Sequence, residues 1–400
     1  MARTTPGKRF GPAERLAGTR LVASRPAPWG DGEPPARAVT AVVCTHNGER
    51  FLADQLQSIL DQTSPVAEVV ISDDASRDRT VQIATSILED SGLPFRIYSR
   101  PAPLRVAANF HFAINRVRTE FAALADQDDR WHVGKIERLL QVYKERPELE
   151  LVHSDARVID DLGQPLGGTI FGTLEISERE WQDYASPEPL TELIRRNIVT
   201  GATVMLRPQL ARRAGLAPAP WIHDEWLAIA AAIAGRIAVV RDPLIDYRLH
   251  GGNLVGRGRL TLRQKVERAT SKGYRAQVNR VSRAEALLDR AQSLGATDDQ
   301  RALIGRKVSH ERARLTLPAS RVRRWPTVLR WGLKRRYRTY SRGAIDIIRD
   351  LFQSQADRTD TGAINIIPPA LRRERLDAKP EHLIAPDDVA PAAAEGEPRA

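Results

Sequence analysis

Cysteine and methionine are nearly absent from this 400-residue sequence, which has one Cys and two Met. The single Cys44 excludes an intramolecular disulfide framework and a zinc site made of cysteine thiolates, and it fits a reducing compartment. Aromatic residues are also few, at 6%. Hydrophobic residues still make up 42%, which is enough for a sizeable core.

Long apolar runs are missing as well. The longest strictly apolar run is the nine-residue segment from Trp226 to Ala234, whereas a membrane-spanning helix needs roughly 20 such residues. Arg3, Lys8 and Arg9 are not followed by an apolar stretch, so we expect no secretory signal. The sequence therefore predicts a protein without a transmembrane segment.

Charge is unevenly distributed along the chain, whose formal net charge is +11. Residues 257–350 contain 25 lysines and arginines against 8 acidic residues, so the remainder of the chain is mildly acidic. Such a basic region suggests an anionic partner, which is a membrane, a nucleic acid or a charged substrate.

Patterns typical of strands and helices alternate over residues 38–154. Short apolar, β-branched runs predict strands, and apolar residues at helical spacing predict the helices between them. The predicted strands are 38–44, 68–72, 95–99, 121–125 and 149–154, and the helices lie within 49–62, 81–88, 110–117 and 135–145. This alternation indicates an α/β fold with a parallel sheet, in which ligands bind beyond the carboxyl ends of the strands.

Three polar clusters follow predicted strand ends and should therefore converge on one crevice: Thr45–Glu49, Asp73-Asp74 and Asp126–Asp129. The last cluster places three carboxylates within four residues, and these repel one another unless a cation lies between them. Mg²⁺ or Mn²⁺ prefers such oxygen ligands together with substrate phosphates. The alternative is a solvated acidic turn that caps the next helix.

The other two clusters suit a nucleotide. A carboxylate at the position of Asp74 can accept the imino N–H of a pyrimidine or a ribose hydroxyl, whereas Asp78 is more simply a helix cap. Gly48 would let the backbone approach a nucleotide closely. An ordinary N-cap is the alternative for this first turn.

Four motifs together resemble those of the family 2 glycosyltransferases. They are Val42–Glu49, Gln62-Thr63, Ile71–Ser76 and Asp126–Trp131, in the family's order and spacing. The resemblance covers about residues 38–256 and implies the GT-A fold, with a mixed, mainly parallel sheet flanked by helices, and inversion at the anomeric carbon. The form of the last motif, followed by Leu151–Asp155, is most similar to the rhamnosyltransferase-like branch.

The resemblance also implies site residues. Thr45, Asn47 and Glu49 of the first motif would line the nucleotide, and Asp74 would recognise the pyrimidine. In the acidic motif, Asp126 would contact the ribose or donor sugar, and Asp128 would bind the metal. His46 and Ala75 depart from the tyrosine and glycine that are common at their positions.

Asp224 matches the position of the family's catalytic carboxylate, which would act as the base towards the acceptor hydroxyl. A helix cap is the alternative reading, and Glu225 is the reserve candidate for the base. Trp226 would either pack against the acceptor sugar or belong to the core.

Two more segments fit the family. Gly201 lies in a stretch that resembles the glycine loop flanking donor and acceptor, with a simple strand turn as the alternative. His250 lies in a motif whose histidine completes the metal shell or touches the diphosphate in many members. Arg248 beside it is suited to pairing with phosphate oxygens.

These residues predict a metal-dependent inverting glycosyltransferase with Mg²⁺ or Mn²⁺ as cofactor. The donor would be a nucleotide-diphospho-sugar, dTDP-rhamnose or a UDP-sugar, and the acceptor a hydroxyl of a glycan or lipid-linked molecule in cell-envelope polysaccharide or glycolipid synthesis. One alternative is a sugar nucleotidyltransferase, which would attack the α-phosphorus of a nucleoside triphosphate. The other is a basic nucleic-acid-binding protein.

The basic region has nine lysines and arginines and no acid between Arg321 and Arg342, with tryptophan and tyrosine interleaved. This pattern favours an anionic membrane surface over nucleic acid, and a helix face packed on the catalytic domain is the third reading. We expect a cytoplasmic protein, peripheral at the inner face of the cell membrane and without a nucleic-acid partner. The expected divisions are a flexible leader (1–37), the catalytic domain (38–256), a basic helical extension (257–352) and a mostly disordered tail (353–400).

Overall fold

The computed structural model describes residues 18–250 and 274–352. Within them, ten strands form one sheet in the order β1-β4-β3-β2-β5-β9-β7-β10-β6, with β8 paired to β7. The strands are β1 Arg20–Arg25, β2 Val39–Thr45, β3 Glu68–Asp73, β4 Phe95–Ser99, β5 Phe121–Asp126, β6 Arg130–Trp131, β7 Leu151–Ile159, β8 Pro165–Thr169, β9 Met205–Leu206 and β10 Ile237–Arg248.

The centre of the sheet is parallel. Strands β4, β3, β2 and β5 run side by side in one direction, and β7 and β10 form a second parallel pair. The short strand β9 joins the two groups by antiparallel pairing with β5 and β7. In this register Thr45 pairs with Asp73, and Cys44 pairs with Asp126, so the carboxyl ends of β2, β3 and β5 meet at one edge.

Helices cover both faces of the sheet. The helices are α1 Leu52–Leu60, α2 Thr80–Ser91, α3 Val106–Ile114, α4 Lys135–Glu145, α5 Ile170–Leu174, α6 Glu178–Tyr184, α7 Leu190–Leu193, α8 Pro208–Ala214, α9 His223–Ile233, α10 Tyr274–Ala291, α11 Asp298–Leu315, α12 Arg321–Leu333, α13 Arg336–Tyr340 and α14 Ala344–Phe352. One apolar cluster joins the sheet to α1, α2 and α4 through residues such as Leu56, Leu88 and Leu139, and the other joins it to α3, α8 and α9. All seven residues of β2 are buried, as expected of a strand covered on both faces.

Strand β1 corrects the prediction of a flexible leader over residues 1–37. Arg20–Arg25 pairs antiparallel with β4 and extends the sheet by one strand. The strand escaped prediction because it is an edge strand, with Leu21 and Val22 about half exposed, and therefore has no buried apolar run. Residues 1–17 of the predicted leader lie outside the described residues.

The region predicted as a basic helical extension is helical over 274–352, and its first two helices share the core of the sheet domain. Leu287 of α10 and Ile304 of α11 are buried in the same cluster as Trp226 and Ile229 of α9. The Gln300 side chain donates to the carbonyl of Ile233 at 3.0 Å. Helices α10 and α11 are therefore packed on the sheet domain.

Helices α12 to α14 form a smaller core of their own around Leu317, Val328, Tyr337 and Leu351. No helix in the described ranges is long and apolar enough to cross a membrane. Residues 251–273 and the predicted disordered tail, 353–400, lie outside the described residues. The boundary at 256 between catalytic domain and extension stays a prediction.

Candidate active site

The first two predicted motifs form one hydrogen-bonded unit at the ends of β2 and β3. The Thr45 hydroxyl donates to Asp73 Oδ1 at 2.9 Å, and Asp73 also accepts from the backbone N–H of Ser76. Asn47, with φ at +50°, accepts from the backbone of Arg77. The Glu49 carboxylate accepts from the backbone N–H of Arg79 just before α2. These contacts place Thr45, Asn47 and Glu49 around one turn at the crevice.

Asp74 lies in the predicted place at the end of β3, and protein donors surround it. Its Oδ1 accepts from Arg100 Nη1 at 2.9 Å and from the backbone N–H of Leu104 at 2.7 Å, and its Oδ2 accepts from the backbone N–H of Arg105 at 2.8 Å. Arg100 is fully buried, and the sequence analysis did not single it out. Arg100 orients the Asp74 carboxylate, which the family resemblance predicts to recognise the pyrimidine.

Gln127 ties the first motif to the acidic motif. Its side-chain amide accepts from the backbone N–H of His46 at 2.8 Å and donates to the carbonyl of His46 at 3.0 Å. A β-carbon at Gly48 would overlap this amide, so a larger residue there would displace the Gln127 side chain. The three clusters therefore converge at one edge of the sheet.

The acidic motif concentrates negative charge at the end of β5. Burial, together with the neighbouring charges of Asp128 and Asp224, raises the pKa of Asp126 to about 7. Burial also raises the pKa of Asp129 well above its ordinary value, and its Oδ2 has no hydrogen-bond partner among the described residues. Buried carboxylates that repel each other in this way favour a bound cation.

The two predicted metal ligands lie together although they are far apart in sequence. Nε2 of His250 is 2.7 Å from Oδ2 of Asp128. Within residues 18–250 and 274–352, no group of three His, Cys, Asp or Glu side chains is arranged to hold a metal ion. One imidazole and one carboxylate nevertheless fit Mg²⁺ or Mn²⁺, because such ions commonly combine one or two protein ligands with substrate phosphates and water.

Two cations that the sequence did not assign to this position support the acidic motif. Lys135 is buried, its Nζ donates to the carbonyl of Ala202 at 2.8 Å, and burial lowers its pKa well below the ordinary value. Arg248 donates from Nε to the carbonyl of Asp128 and from its backbone N–H to Asp129. Lys135 could have been found from the sequence, because it is a lysine a few residues after the acidic motif, at the start of α4.

Asp224 lies at the start of α9, where its carboxylate accepts two backbone hydrogen bonds. Oδ2 accepts from Gly201 at 3.0 Å, and Oδ1 accepts from Glu225 at 2.7 Å. Burial raises the pKa of Asp224 to about 6. Asp224 also lies near the acidic motif, and its charge contributes to the raised pKa of Asp126.

The neighbours of Asp224 are occupied by other contacts. Glu225, the reserve candidate for the base, is paired with Arg283 of α10 at 2.6 Å. Trp226 is almost fully buried, and its indole N–H donates to the carbonyl of Ala214, so it belongs to the core. The His223 ring stacks on Phe110 with 4.0 Å between ring centroids, and burial lowers the pKa of His223 to about 3.

Comparison with known proteins identifies the class. The family described as Glycosyl transferase family 2 matches residues 40–207, which include every predicted site residue except Asp224 and His250. Residues 40–207 are therefore a family 2 glycosyltransferase domain, as the motifs predicted. With the mixed, mainly parallel sheet, this membership confirms the GT-A fold class. The rhamnosyltransferase-like branch stays a prediction.

Similar proteins cover part of the chain. An uncharacterised protein of Mycobacterium tuberculosis is 26% identical over 217 residues, which are 53% of this chain and 59% of the mycobacterial protein. A protein of Bacillus subtilis named as a teichuronic acid biosynthesis glycosyltransferase is 29% identical over 109 residues, 27% of this chain and 42% of that protein. The chain thus spans about three fifths of the length of the first curated relatives.

Among solved structures, a mannosyltransferase of Pyrobaculum calidifontis in complex with GDP-Man and Mn²⁺ aligns with a TM-score of 0.44. It is 17% identical, and the alignment covers 77% of this chain and 78% of that chain.

Proposed function

We propose that this protein is a metal-dependent inverting glycosyltransferase that moves a sugar from a nucleotide-diphospho-sugar to a hydroxyl of a glycan or lipid-linked acceptor. The observation that carries the proposal is the position of Asp224, a buried carboxylate with a pKa near 6, opposite the acidic motif of a family 2 domain. The name of the Bacillus subtilis relative supports a role in cell-envelope polysaccharide synthesis.

Asp224 is the general base of the proposed reaction. The acceptor oxygen attacks the anomeric carbon as the bond from that carbon to the diphosphate oxygen breaks, and the acceptor proton passes to Asp224. A carboxylate whose pKa lies near 6 is ionised at neutral pH and is a stronger base than an ordinary aspartate. The backbone N–H of Gly201 fixes its orientation.

Thr45, Asn47, Glu49, Asp74 and Asp126 are the proposed contacts for the nucleotide-sugar, and Gly201 borders the sugar. A screen of dTDP-rhamnose, UDP-sugars and GDP-sugars, scored by released nucleoside diphosphate, tests the donor. Release of a nucleoside diphosphate together with a glycosylated product supports transfer. Release of pyrophosphate from a nucleoside triphosphate and a sugar phosphate would instead identify a nucleotidyltransferase.

Asp128 and His250 are the proposed ligands of Mg²⁺ or Mn²⁺, which would neutralise charge on the departing diphosphate. Calorimetric titration of nucleoside diphosphate into the Asp128→Asn variant should lose the Mn²⁺-dependent part of the binding. Asp242→Asn is the matched control, because Asp242 is two-thirds exposed and pairs only loosely with Arg138. Unchanged Mn²⁺-dependent binding in Asp128→Asn would remove this residue from the metal site.

The proposed location is the inner face of the cell membrane. Helix α12 carries an exposed apolar stripe of Val322, Trp325, Leu329 and Leu333, spaced three and four residues apart. Ile345, Ile348 and Phe352 of α14 are also exposed, and the rings of Trp325 and Phe352 are in contact. Exposed arginines flank this apolar face. Apolar residues bordered by cations suit an anionic membrane surface.

Flotation of the full chain with liposomes of phosphatidylglycerol and phosphatidylcholine tests the location. We expect binding that weakens with salt and falls at least tenfold in Leu329→Glu/Leu333→Glu, but not in Val133→Glu, which alters an exposed apolar residue of the sheet domain. No binding at low salt would contradict the proposal. Binding of DNA in its place would favour the nucleic-acid alternative.

A further inference from the structure

A cleft with basic walls lies between the sheet domain and helices α10, α11 and α14. Its volume is about 200 Å³, several times the roughly 30 Å³ that one water molecule occupies in the liquid. Six cationic side chains line it: Arg195, Arg196, Arg280, Arg283, Lys307 and Arg342. We call this feature the basic cleft.

The carboxylates of the basic cleft are already paired. Glu225 is bound by Arg283 at 2.6 Å, and Glu311 is bound by Lys307 at 2.6 Å. Asp346, the third acidic residue of the lining, lies 3.3 Å from Arg314. The acidic residues therefore do not balance the remaining cations.

Two of those cations have no carboxylate partner in the described part of the chain. Arg280 donates from Nη1 only to the neutral side chain of Gln277, at 2.8 Å. Burial lowers the pKa of Arg280, and the nearby charges of Asp346 and Glu311 only partly offset this shift. Arg342 is exposed at the mouth of the cleft. Because an unpaired, partly desolvated guanidinium is unfavourable, an anion in the cleft would be stabilised by both groups.

The basic cleft adjoins the proposed catalytic centre through the start of α9 and the segment that leads to Gly201. Glu225, on its wall, directly follows Asp224 in α9. Asn197, also on the wall, begins the segment that leads to Gly201, whose backbone N–H binds Asp224. Trp221 and Leu193 add apolar surface to the same cleft. A molecule anchored there would extend towards the base, which is where an acceptor must lie.

We propose that the basic cleft binds a phosphate or carboxylate group of the acceptor, so that the acceptor is an anionic glycan or a phosphorylated glycolipid. The inference rests on the proposed glycosyl transfer for the role of the ligand. The binding of the anion itself does not depend on it.

The test is calorimetric titration of the full chain with inorganic phosphate and, separately, with glucuronate. Both titrations are done with saturating UDP and Mg²⁺, so that the nucleotide site is filled. We expect at least one anion to bind at one site per chain, and the tighter of the two identifies the acceptor group as phosphate or carboxylate. In Arg342→Glu the Kd should rise about tenfold or more, because a favourable charge is replaced by a repulsive one.

Arg342→Glu changes an exposed side chain and should fold normally, and Arg280→Met provides a second variant on the wall of the cleft. Arg146→Gln, an exposed arginine of the sheet domain, is the control. If neither anion binds, or both cleft variants bind as the wild type does, the proposal is wrong even when sugar transfer is intact. If an anion binds through the cleft while no donor sugar is transferred, the cleft stands as an anion site and the proposed enzymatic function fails.

Discussion

The backbone N–H of Gly201 donates to Oδ2 of Asp224 across 3.0 Å, joining the turn before β9 to the first residues of α9. This bond holds a buried carboxylate towards the acidic motif at the end of β5. It also explains why two segments 23 residues apart act as one unit in the proposed site.

Replacing Asp224 by Asn should lower sugar transfer by about 10²–10⁴-fold, the usual contribution of a general base. Donor binding, measured calorimetrically, should stay near the wild-type value, because the nucleotide contacts lie on β2, β3 and β5. Transfer at a rate near that of the wild type would show that Asp224 is not the base.

The rate of transfer by the wild type should depend on pH through Asp224. Burial raises its pKa to about 6, and only the ionised form can accept a proton. The rate should therefore be level above pH 7 and fall about tenfold for each pH unit below 6. A rate that stays constant from pH 7 to pH 5 would contradict this assignment.

Gly201→Ala should impair both folding and transfer. A β-carbon there would lie 2.8 Å from Nε2 of His223, whose ring is fixed by stacking on Phe110. We expect a loss of roughly 1–3 kcal/mol in the free energy of unfolding and at least tenfold slower transfer. Gly305→Ala is the matched control, because nothing lies within 4 Å of its β-carbon position in α11. This control should be neutral or stabilising, and equal effects of the two variants would refute the steric argument.

Gly48→Ala should act through Gln127 alone. The new methyl group would displace the Gln127 amide and break its two hydrogen bonds with the His46 backbone, at a cost of about 1–2 kcal/mol. Gln127→Ala should cost a similar amount, and the double variant should cost little more than either single one. Chemical denaturation measures all three, and additive losses would mean that the two residues are not coupled.

Arg314→Met should destabilise the C-terminal helices strongly. Arg314 is fully buried and pairs with Asp350 at 2.7 Å and with Glu311 at 3.2 Å. Removing it leaves the buried carboxylate of Asp350 without its cation, at a cost of about 3–5 kcal/mol. Arg312→Met is the control on the same helix, because Arg312 is half exposed and a pair of that kind contributes at most about 1 kcal/mol. Similar unfolding transitions in the two variants would show that the buried network is not needed.

The positions of the central strands along the chain could be predicted from the sequence, because each is a short, mostly buried apolar run between helices. The predicted strand 38–44, for example, is β2 at Val39–Thr45, and polar residues follow its end as expected. Strand β1 could not be predicted, because its side chains are half exposed and it is held by main-chain pairing with β4. Local pattern carries no information about such pairing.

Site residues that lie within a short sequence motif could be predicted, whereas contacts between distant segments could not. The proximity of Asp128 and His250, 122 residues apart, was expected only through the family resemblance. The pair of Glu225 with Arg283 was not foreseen, because no local pattern connects α9 with α10. Charge counting likewise treated the basic region as one surface, whereas Arg314 and Arg324 are buried within it.

The edge position of β1 also affects the tendency of this protein to aggregate. Without β1, the main-chain N–H and C=O groups along one side of β4 would be open to pairing with another chain. Strand β1 covers them and presents a poorer template, since arginines stand at both of its ends and its register shifts between Leu21 and Ala23. Charge and irregularity at an edge strand discourage sheet-to-sheet aggregation. The short segment before the family 2 domain therefore contributes colloidal solubility.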